Sequence, residues 1–471
     1  MNDAPSIPAT SILERTLANL RLAWRDVAAS ARGAFGAAIR PDLPPEDTDR
    51  LRQQFRDCVE AKGGEVSARA RAAALGRTYL SLSAQGRRRF LQILATDFDT
   101  DQGDVEDAIE TWRKAETPEA RRAAERALRQ VLLPPRRRLL THFNALPEGV
   151  KFLVDLRNEL IPLAREDSRL AGLEDDLKNL LSAWFDVDFL ELRRITWQSP
   201  AAILEKLIAY EAVHEIHGWD DLKNRLDSDR RLFAFFHPRM PLEPLIFVEV
   251  ALVKGMSGNI QELLDRNAPL GDPSAADTAI FYSISNAQKG LAGISFGNFL
   301  IKRVADQLAS EFKGLKVFAT LSPIPGFRAW LRERLAAEGA EVLTQAEKRT
   351  IAALGETIDP VALVGAEDWA EDRERTAAKL VLSRLCARYL TQERGRGNRA
   401  LDPVAHFHLS NGARVERLNW QADLSPKGKR QSAGMMVNYL YRLDQIEANH
   451  EAYAGEGKVA ASSTIKGLAE A

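Results

Sequence analysis

Cysteine is nearly absent from this chain of 471 residues: only Cys58 and Cys386 occur, far apart in otherwise helix-like text. That excludes a disulfide framework and a cysteine-based zinc site, and it points to a reducing compartment. An excess of charge of one sign is lacking too, since 65 Lys and Arg face 66 Asp and Glu for a net charge of -1. No nucleic-acid partner is expected from so balanced a surface. No stretch approaches the roughly 18 apolar residues of a membrane span. The best run, Leu245 to Val253, is too short and carries Glu249. Several catalytic signatures are missing as well: no Gly-x-Ser-x-Gly elbow, no Gly-Lys-Ser/Thr phosphate loop, no catalytic Cys-His pattern. His214-Glu215-Ile216-His217 places its histidines three apart where the zinc helix motif needs four. His214 is therefore expected to be a structural histidine near the end of the preceding helix.

What is present divides into two halves. From Ser11 to about Phe185 the text is helical and charge-laced, broken at Pro41 to Pro45, Gly63-Gly64 and Pro134-Pro135. Residues 1–185 are thus expected to form an all-helical domain. It would begin with an amphipathic helix carrying Leu13, Leu17, Leu20 and Trp24 on one face, with Arg136-Arg137-Arg138 as a solvated helix start. The Arg-rich opening around Arg15, Arg21, Arg25 and Arg32 has the tone of a mitochondrial transit peptide, but Glu14 and Asp26 speak against it, and the last residues lack a peroxisomal tail. A cytoplasmic location is expected.

Residues 186–471 change character. Strand-like runs appear at Phe189 to Thr196, Arg231 to Phe236, Leu245 to Val253, Thr278 to Ser285 and Val317 to Leu321, between helical segments. A mixed α/β domain is expected, so the whole is an α+β multidomain chain. At its centre a strand, a Gly-containing turn and a helix with Phe296, Leu300, Val304, Leu308 and Phe312 at spacing four lead into the strand ending near Ser322. Residues 327–392 read as helical. Val404 to Leu409 and Arg414 to Trp420 flank Asn411-Gly412, which predicts a late β-hairpin with Val404, His406 and His408 on one face. After about residue 445, few large apolar residues remain and a loosely held tail is expected.

Chemistry could reside first in Gln288 to Asn298, where Gly290, Gly293 and Gly297 lie between strand and helix. Free amides at a helix start attract anions, and glycine lets backbone approach a ligand. The placement resembles the pyrophosphate-binding turn of the GNAT acyltransferase superfamily. Six blocks in order sharpen the likeness: Gly-Leu-Glu-Asp-Asp-Leu-Lys-Asn-Leu-Leu at 172–181, Arg-Ile-Thr-Trp-Gln-Ser-Pro at 194–200, Glu-Ala-Val-His at 211–214, Ala-Ile-Phe-Tyr-Ser-Ile-Ser at 279–285, Leu-Ser-Pro-Ile-Pro-Gly-Phe at 321–327, and Asp-Pro-Val-Ala-His-Phe-His-Leu-Ser-Asn-Gly-Ala at 402–413. Together they resemble the malonyl-CoA decarboxylase family over about residues 150–445.

The resemblance implies a GNAT-like catalytic domain that takes malonyl-CoA to acetyl-CoA and carbon dioxide, in fatty acid metabolism, without a cofactor. It implies Ser322 and His408 as the catalytic pair, and a coenzyme-binding turn at Ala292, Gly293, Ile294, Ser295, Phe296, Gly297 and Asn298. Substrate would then lie between that turn, Ser322 and His408. Tyr441, in a segment that also fits the family, is a further catalytic candidate. His406 stands where many relatives have Asn, and its role is open. The chemistry asks for such groups independently of the name, because loss of carbon dioxide leaves an enolate that must be stabilised and protonated. Imidazole, with an ordinary pKa near 6.5, is the expected donor; backbone amides share the oxyanion's stabilisation; Ser322 positions the substrate or relays a proton. The resemblance and the surplus of amphipathic helices imply a homo-oligomer, up to a tetramer. Two rival readings are an acyl-CoA transferase on the same fold and a non-catalytic acyl-CoA sensor.

Overall fold

The computed structural model describes Trp24, Val27 and residues 39–185, 189–294, 300–355, 358–366, 368–369 and 371–470. These form two compact units. One holds the described residues up to 189 with 237–241 and 288–294, and the other holds the rest.

The first unit is helical: α1 (Pro45–Val59), α2 (Gly64–Ser81), α3 (Ala84–Thr96), α4 (Gln102–Lys114), α5 (Pro118–Val131), α6 (Arg136–Asn144), α7 (Gly149–Glu166) and α8 (Ala171–Trp184). The breaks fall where the sequence puts them. Pro45 opens α1, Gly63 in the left-handed region (φ +82°) precedes α2, and Pro135 precedes α6. Of the expected first helix, Leu13, Leu17 and Leu20 lie outside the described residues. Trp24 is helical and buried against Phe143 and Phe152, its indole N–H donating to the Pro147 carbonyl at 2.7 Å. The expected solvated arginine run is corrected at its first member. Arg136 is buried, paired with Asp176 at 2.7 Å and Asp99 at 3.0 Å, and it donates to the Ala95 carbonyl. Two carboxylates and a carbonyl replace its water, which is what lets a guanidinium enter a core.

The second unit contains β1 (Glu191–Ile195), α9 (Ala201–Tyr210), α10 (Trp219–Arg225), β2 (Arg230–His237), β3 (Met240–Val253), α11 (Ile260–Leu263), β4 (Thr278–Asn286), α12 (Leu300–Glu311), β5 (Val317–Thr320) and β6 (Ser322–Pro323). It continues with α13 (Phe327–Glu338), α14 (Gln345–Ala352), α15 (Pro360–Gly365), α16 (Asp372–Thr391), α17 (Pro403–Ser410), β7 (Arg414–Asn419), α18 (Pro426–Ser432), β8 (Met436–Leu440), α19 (Ile446–Glu456) and α20 (Ser463–Glu470). The strands make one sheet in the order β1-β2-β3-β4-β5-β8-β6, with β7 also on β8. β4 and β5 are parallel, as a strand–helix–strand crossover requires. β8 runs antiparallel to β5, β6 and β7.

Two features of β4 shape the site. Its pairing with β3 slips between Glu249↔Ser283 and Val250↔Phe281, leaving Tyr282 as an extra residue, a β-bulge. Its pairing with β5 runs only from Thr278 to Phe281, so β4 and β5 part beyond the bulge. The tail after residue 445 is corrected as well, since α19 and α20 bury Ile446, Tyr453 and Ile465. A few large side chains anchor it, and the Tyr453 hydroxyl accepts from the Ala400 N–H at 2.8 Å.

Candidate active site

The segment carrying His408 is a helix and not a hairpin strand. Asp402 accepts the N–H groups of Val404 and Ala405, both at 3.0 Å, and Pro403 takes the first helical position. At the other end Gly412 donates to the Leu409 carbonyl and Ala413 to that of His408, the paired closure of a Schellman turn. Gly412 sits at φ +80°, and a Cβ there would collide with the Ile446 carbonyl. Asn411-Gly412 therefore ends a helix where the sequence pattern suggested a hairpin turn. The second Asp402 oxygen accepts the Gly326 N–H at 3.2 Å, which ties the start of α17 to the loop that follows Ser322.

Ser322, on β6 opposite Val437, brings its Oγ to 3.1 Å from His408 Nε2. The serine hydroxyl donates to Thr320 Oγ1 at 2.9 Å. His408 Nδ1 lies 2.8 Å from the Tyr441 hydroxyl, and the ring stacks on Tyr439 at 4.5 Å and 24°. The structure thus joins Ser322, His408 and Tyr441 in one buried chain. A serine has one hydrogen, and here it goes to Thr320; His408 Nε2–H is then the donor to Ser322, and Tyr441 donates to Nδ1. Thr320 is held in turn, because its Oγ1 accepts the Tyr439 N–H at 3.0 Å and its carbonyl accepts Asn438 Nδ2 at 2.6 Å. Burial with no carboxylate in contact pushes the His408 pKa down to about 3. The imidazole is neutral at physiological pH, and the sequence-level argument for a donor of near-neutral pKa does not hold at this position. Burial likewise raises the Tyr441 phenol well above its ordinary range.

Ser322 and His408 face a cavity of about 210 Å³ walled by Phe281, Ile284, Phe407 and Val213. It is smaller than the roughly 300–1,000 Å³ of sites for drug-sized ligands, so it suits an acyl head and not a whole coenzyme. No Lys, Arg, Asp or Glu is among its lining residues.

In the other unit, Lys289–Leu291 form a single 3-10 turn. Arg157, paired with Glu174, donates to the Gly290 carbonyl at 2.6 Å, and Gly293 adopts φ +74° beside the Lys178 side chain. Ala292 and Gly293 line a cavity of about 430 Å³ with Arg165 and Glu174. Ile294 is buried, while Ser295, Phe296, Gly297 and Asn298 lie outside the described residues. A Cβ on Gly290 would overlap the Val154 carbonyl oxygen. Gly290→Ala should cost about 1–3 kcal/mol by overpacking. Thermal denaturation checks this, and an unchanged midpoint would show that the turn relaxes at no cost.

The remaining polar candidates take structural places. His406 Nδ1 contacts the Tyr453 hydroxyl at 2.9 Å, away from Ser322. α9 ends at Tyr210, so His214 follows the helix in a loop, and burial lowers its pKa to about 4. Among the described residues no group of His, Cys, Asp and Glu could hold a metal. Thr320, Tyr439 and Asn438 escape sequence reasoning, because strand residues of these types read as core. Asp402 before Pro403 is a helix-start signal that could have corrected the hairpin.

Two family descriptions match the chain: "Malonyl-CoA decarboxylase C-terminal domain" over residues 188–471 and "Malonyl-CoA decarboxylase N-terminal domain" over residues 98–185. "Malonyl-CoA decarboxylase, mitochondrial" of Anser anser anser is 39% identical over 415 residues, covering 84% of this chain and 82% of that protein. The protein of the same name from Rattus norvegicus is 37% identical over 465 residues, covering 92% and 90%. A crystal structure of malonyl-CoA decarboxylase from Rhodopseudomonas palustris superposes with a TM-score of 0.81 at 41% identity, over 89% of this chain and 99% of that one.

Proposed function

As the chain belongs to the malonyl-CoA decarboxylase family, we propose that it is a carboxy-lyase converting malonyl-CoA to acetyl-CoA and carbon dioxide at Ser322, His408 and Tyr441. The observation that carries the reading is the buried, uncharged chain from Ser322 through His408 to Tyr441 at the end of a small apolar cavity. A carboxylate drawn into such a cavity loses its water and meets no cation. As the bond between C2 and the carboxyl carbon breaks, its electrons move to the thioester enolate and carbon dioxide leaves neutral. The charge shifts from the desolvated carboxylate toward positioned donors, which lowers the barrier relative to the ground state. Those donors are His408 Nε2–H, which Ser322 aligns as its acceptor, and the backbone at the Tyr282 bulge, which lines the cavity.

The enolate carbon then takes a proton from His408. Neutral imidazole is a weak acid, but a thioester carbanion is a much stronger base than imidazolate, so the transfer runs downhill. As Nε2 loses its proton the Tyr441 phenol donates to Nδ1 and the ring stays neutral; after product leaves, Nδ1 returns that proton to Tyr441 and Nε2 takes one from water entering the cavity, which restores the resting tautomer and supplies the one proton that the reaction consumes. The substrate carboxylate would raise the His408 pKa from its depressed value, while burial opposes the imidazolium.

The parallel pair β4 and β5, parting beyond a bulge and joined through α12, supports a GNAT-like layout. Residues 292–298 bind the coenzyme pyrophosphate, with Gly293 in the left-handed region supporting the turn. The helical part, residues 1–185, mediates self-association into a homo-oligomer up to a tetramer, and residues 186–471 carry the catalytic groups, although 237–241 and 288–294 pack with the helical unit. No organic cofactor and no nucleic-acid partner take part. Among the described residues no helix is long and apolar enough to cross a membrane. Free, buried Cys58 and Cys386 support a reducing, cytoplasmic location.

Purified protein given malonyl-CoA should release acetyl-CoA and carbon dioxide in equal amounts. Its kcat/KM should show no inflection near pH 6.5, since the free enzyme's His408 titrates near 3. Binding without turnover would end the decarboxylase reading, and an inflection at 6.5 that His408→Asn removes would end the neutral-imidazole mechanism.

A further inference from the structure

Among the cavity walls, Val213 differs from the aromatic ones. Phe281 packs on Tyr441 and Phe407 packs edge-on against His408, so resizing either would disturb the proton chain. Val213 contributes its side chain from a loop, residues 211–217, that has no regular secondary structure and yet is fastened at almost every step. Glu211 accepts the N–H groups of Val213 at 2.8 Å and His214 at 2.9 Å. Its carboxylate is fixed by the hydroxyls of Ser283 and Ser285 on β4. Lys427 Nζ donates to the Ala212 and Val213 carbonyls, and Arg225 donates to those of His214 and Glu215. A loop with this many polar ties cannot retreat from the cavity without breaking several hydrogen bonds at once, and valine is itself stiff at χ1.

We propose that Val213, held in place by Glu211 and Lys427, is the size filter that selects malonyl-CoA against malonyl thioesters carrying a C2 substituent, methylmalonyl-CoA being the smallest. The inference rests on the decarboxylase reading of this cavity. A methyl at C2 has to be accommodated within about 210 Å³ while the carboxylate and thioester stay aligned with Ser322 and His408. The phenyl walls cannot move without the catalytic groups. Ile284 is fixed in β4 and Val404 in the first turn of the helix that carries His408, so Val213 is the aliphatic wall supplied by a loop, and the pinned backbone makes its size count. One methylene in such a pocket separates substrates by about 10- to 200-fold.

The test compares kcat/KM for methylmalonyl-CoA, read as propionyl-CoA formed, with that for malonyl-CoA, read as acetyl-CoA formed. Val213→Ala should raise the ratio about tenfold or more. It should also make methylmalonyl-CoA a tighter competitive inhibitor of the malonyl-CoA reaction. Val213→Ile should lower the ratio and raise KM for malonyl-CoA. Val213 is only partly buried, so both proteins should fold, and matched thermal midpoints check that. A ratio that stays at the parent value in both variants overturns the filter. A parent that consumes neither thioester overturns the decarboxylase reading instead.

Discussion

Replacement of His408 by Asn is expected to lower kcat on malonyl-CoA by about 10²- to 10⁴-fold, the range for a positioned acid–base group, while KM stays close to the parent value. The ring touches the reacting end of the cavity and no part that would hold the coenzyme, so its loss is felt in the transition state. Ser322→Ala removes the acceptor of His408 Nε2–H but leaves the ring between Tyr441 and Tyr439. Its kcat should fall by about 10- to 100-fold, a buried hydrogen-bond partner being worth about 1–3 kcal/mol. The pair acts as one unit, so the double variant should be little worse than His408→Asn alone. Steady-state and single-turnover rates of acetyl-CoA formation decide the matter. Losses that multiply in the double variant would show that the two act separately, and a His408→Asn protein within tenfold of the parent would remove histidine from the chemistry.

How such a site can be read from sequence depends on what fixes each element. The five strand-like runs hold because they are short apolar segments bounded by polar turns, and β3 and β4 are buried on both faces. The parallel step from β4 to β5 follows from the helix pattern between them. α17 is different. Val404, His406 and His408 alternate with apolar residues, and Asn411-Gly412 is a hairpin dipeptide, so local pattern favours a strand. The helix is decided by Asp402 at its start and by the collision that forces glycine at 412, the first local and legible and the second visible only once Ile446 is placed. Ser322, His408 and Tyr441 were named through family resemblance. Their meeting depends on β8 bridging β5, β6 and β7, a pairing that local pattern does not specify. The His408 pKa illustrates the same limit, because residue type gives a reference near 6.5 and only burial moves it to about 3.

Arg225→Met should destabilise the sheet-bearing unit by about 3–5 kcal/mol, the cost of breaking a buried ion pair by removing one partner. Arg225, the last residue of α10, spends all five of its N–H groups. Nε and Nη2 go to Asp221 at 3.0 and 3.2 Å, Nη1 to Glu249 at 3.1 Å, and one hydrogen each to the His214 and Glu215 carbonyls at 2.8 Å. Methionine of similar length would leave two buried carboxylates and two carbonyls without their donor. The pH dependence has a definite sign. Burial raises Glu249 to about 7 even with Arg225 pulling it down, so its folded pKa exceeds its unfolded one, and the stability it contributes is present at low pH and lost as pH rises through 7. Removing the arginine lifts that pKa further, so the gap between variant and parent should widen from pH 5.5 to pH 8. The buried neutral His408 titrates alike in both proteins and cancels from the difference. Urea denaturation of parent and variant at the two pH values measures the gap, and adding Glu249→Gln to the variant should recover part of the loss at pH 8 by removing the unpaired charge. A gap below about 1 kcal/mol would mean that the pair merely balances its desolvation, and a gap that narrows toward pH 8 would mean that Glu249 is not the group left uncompensated.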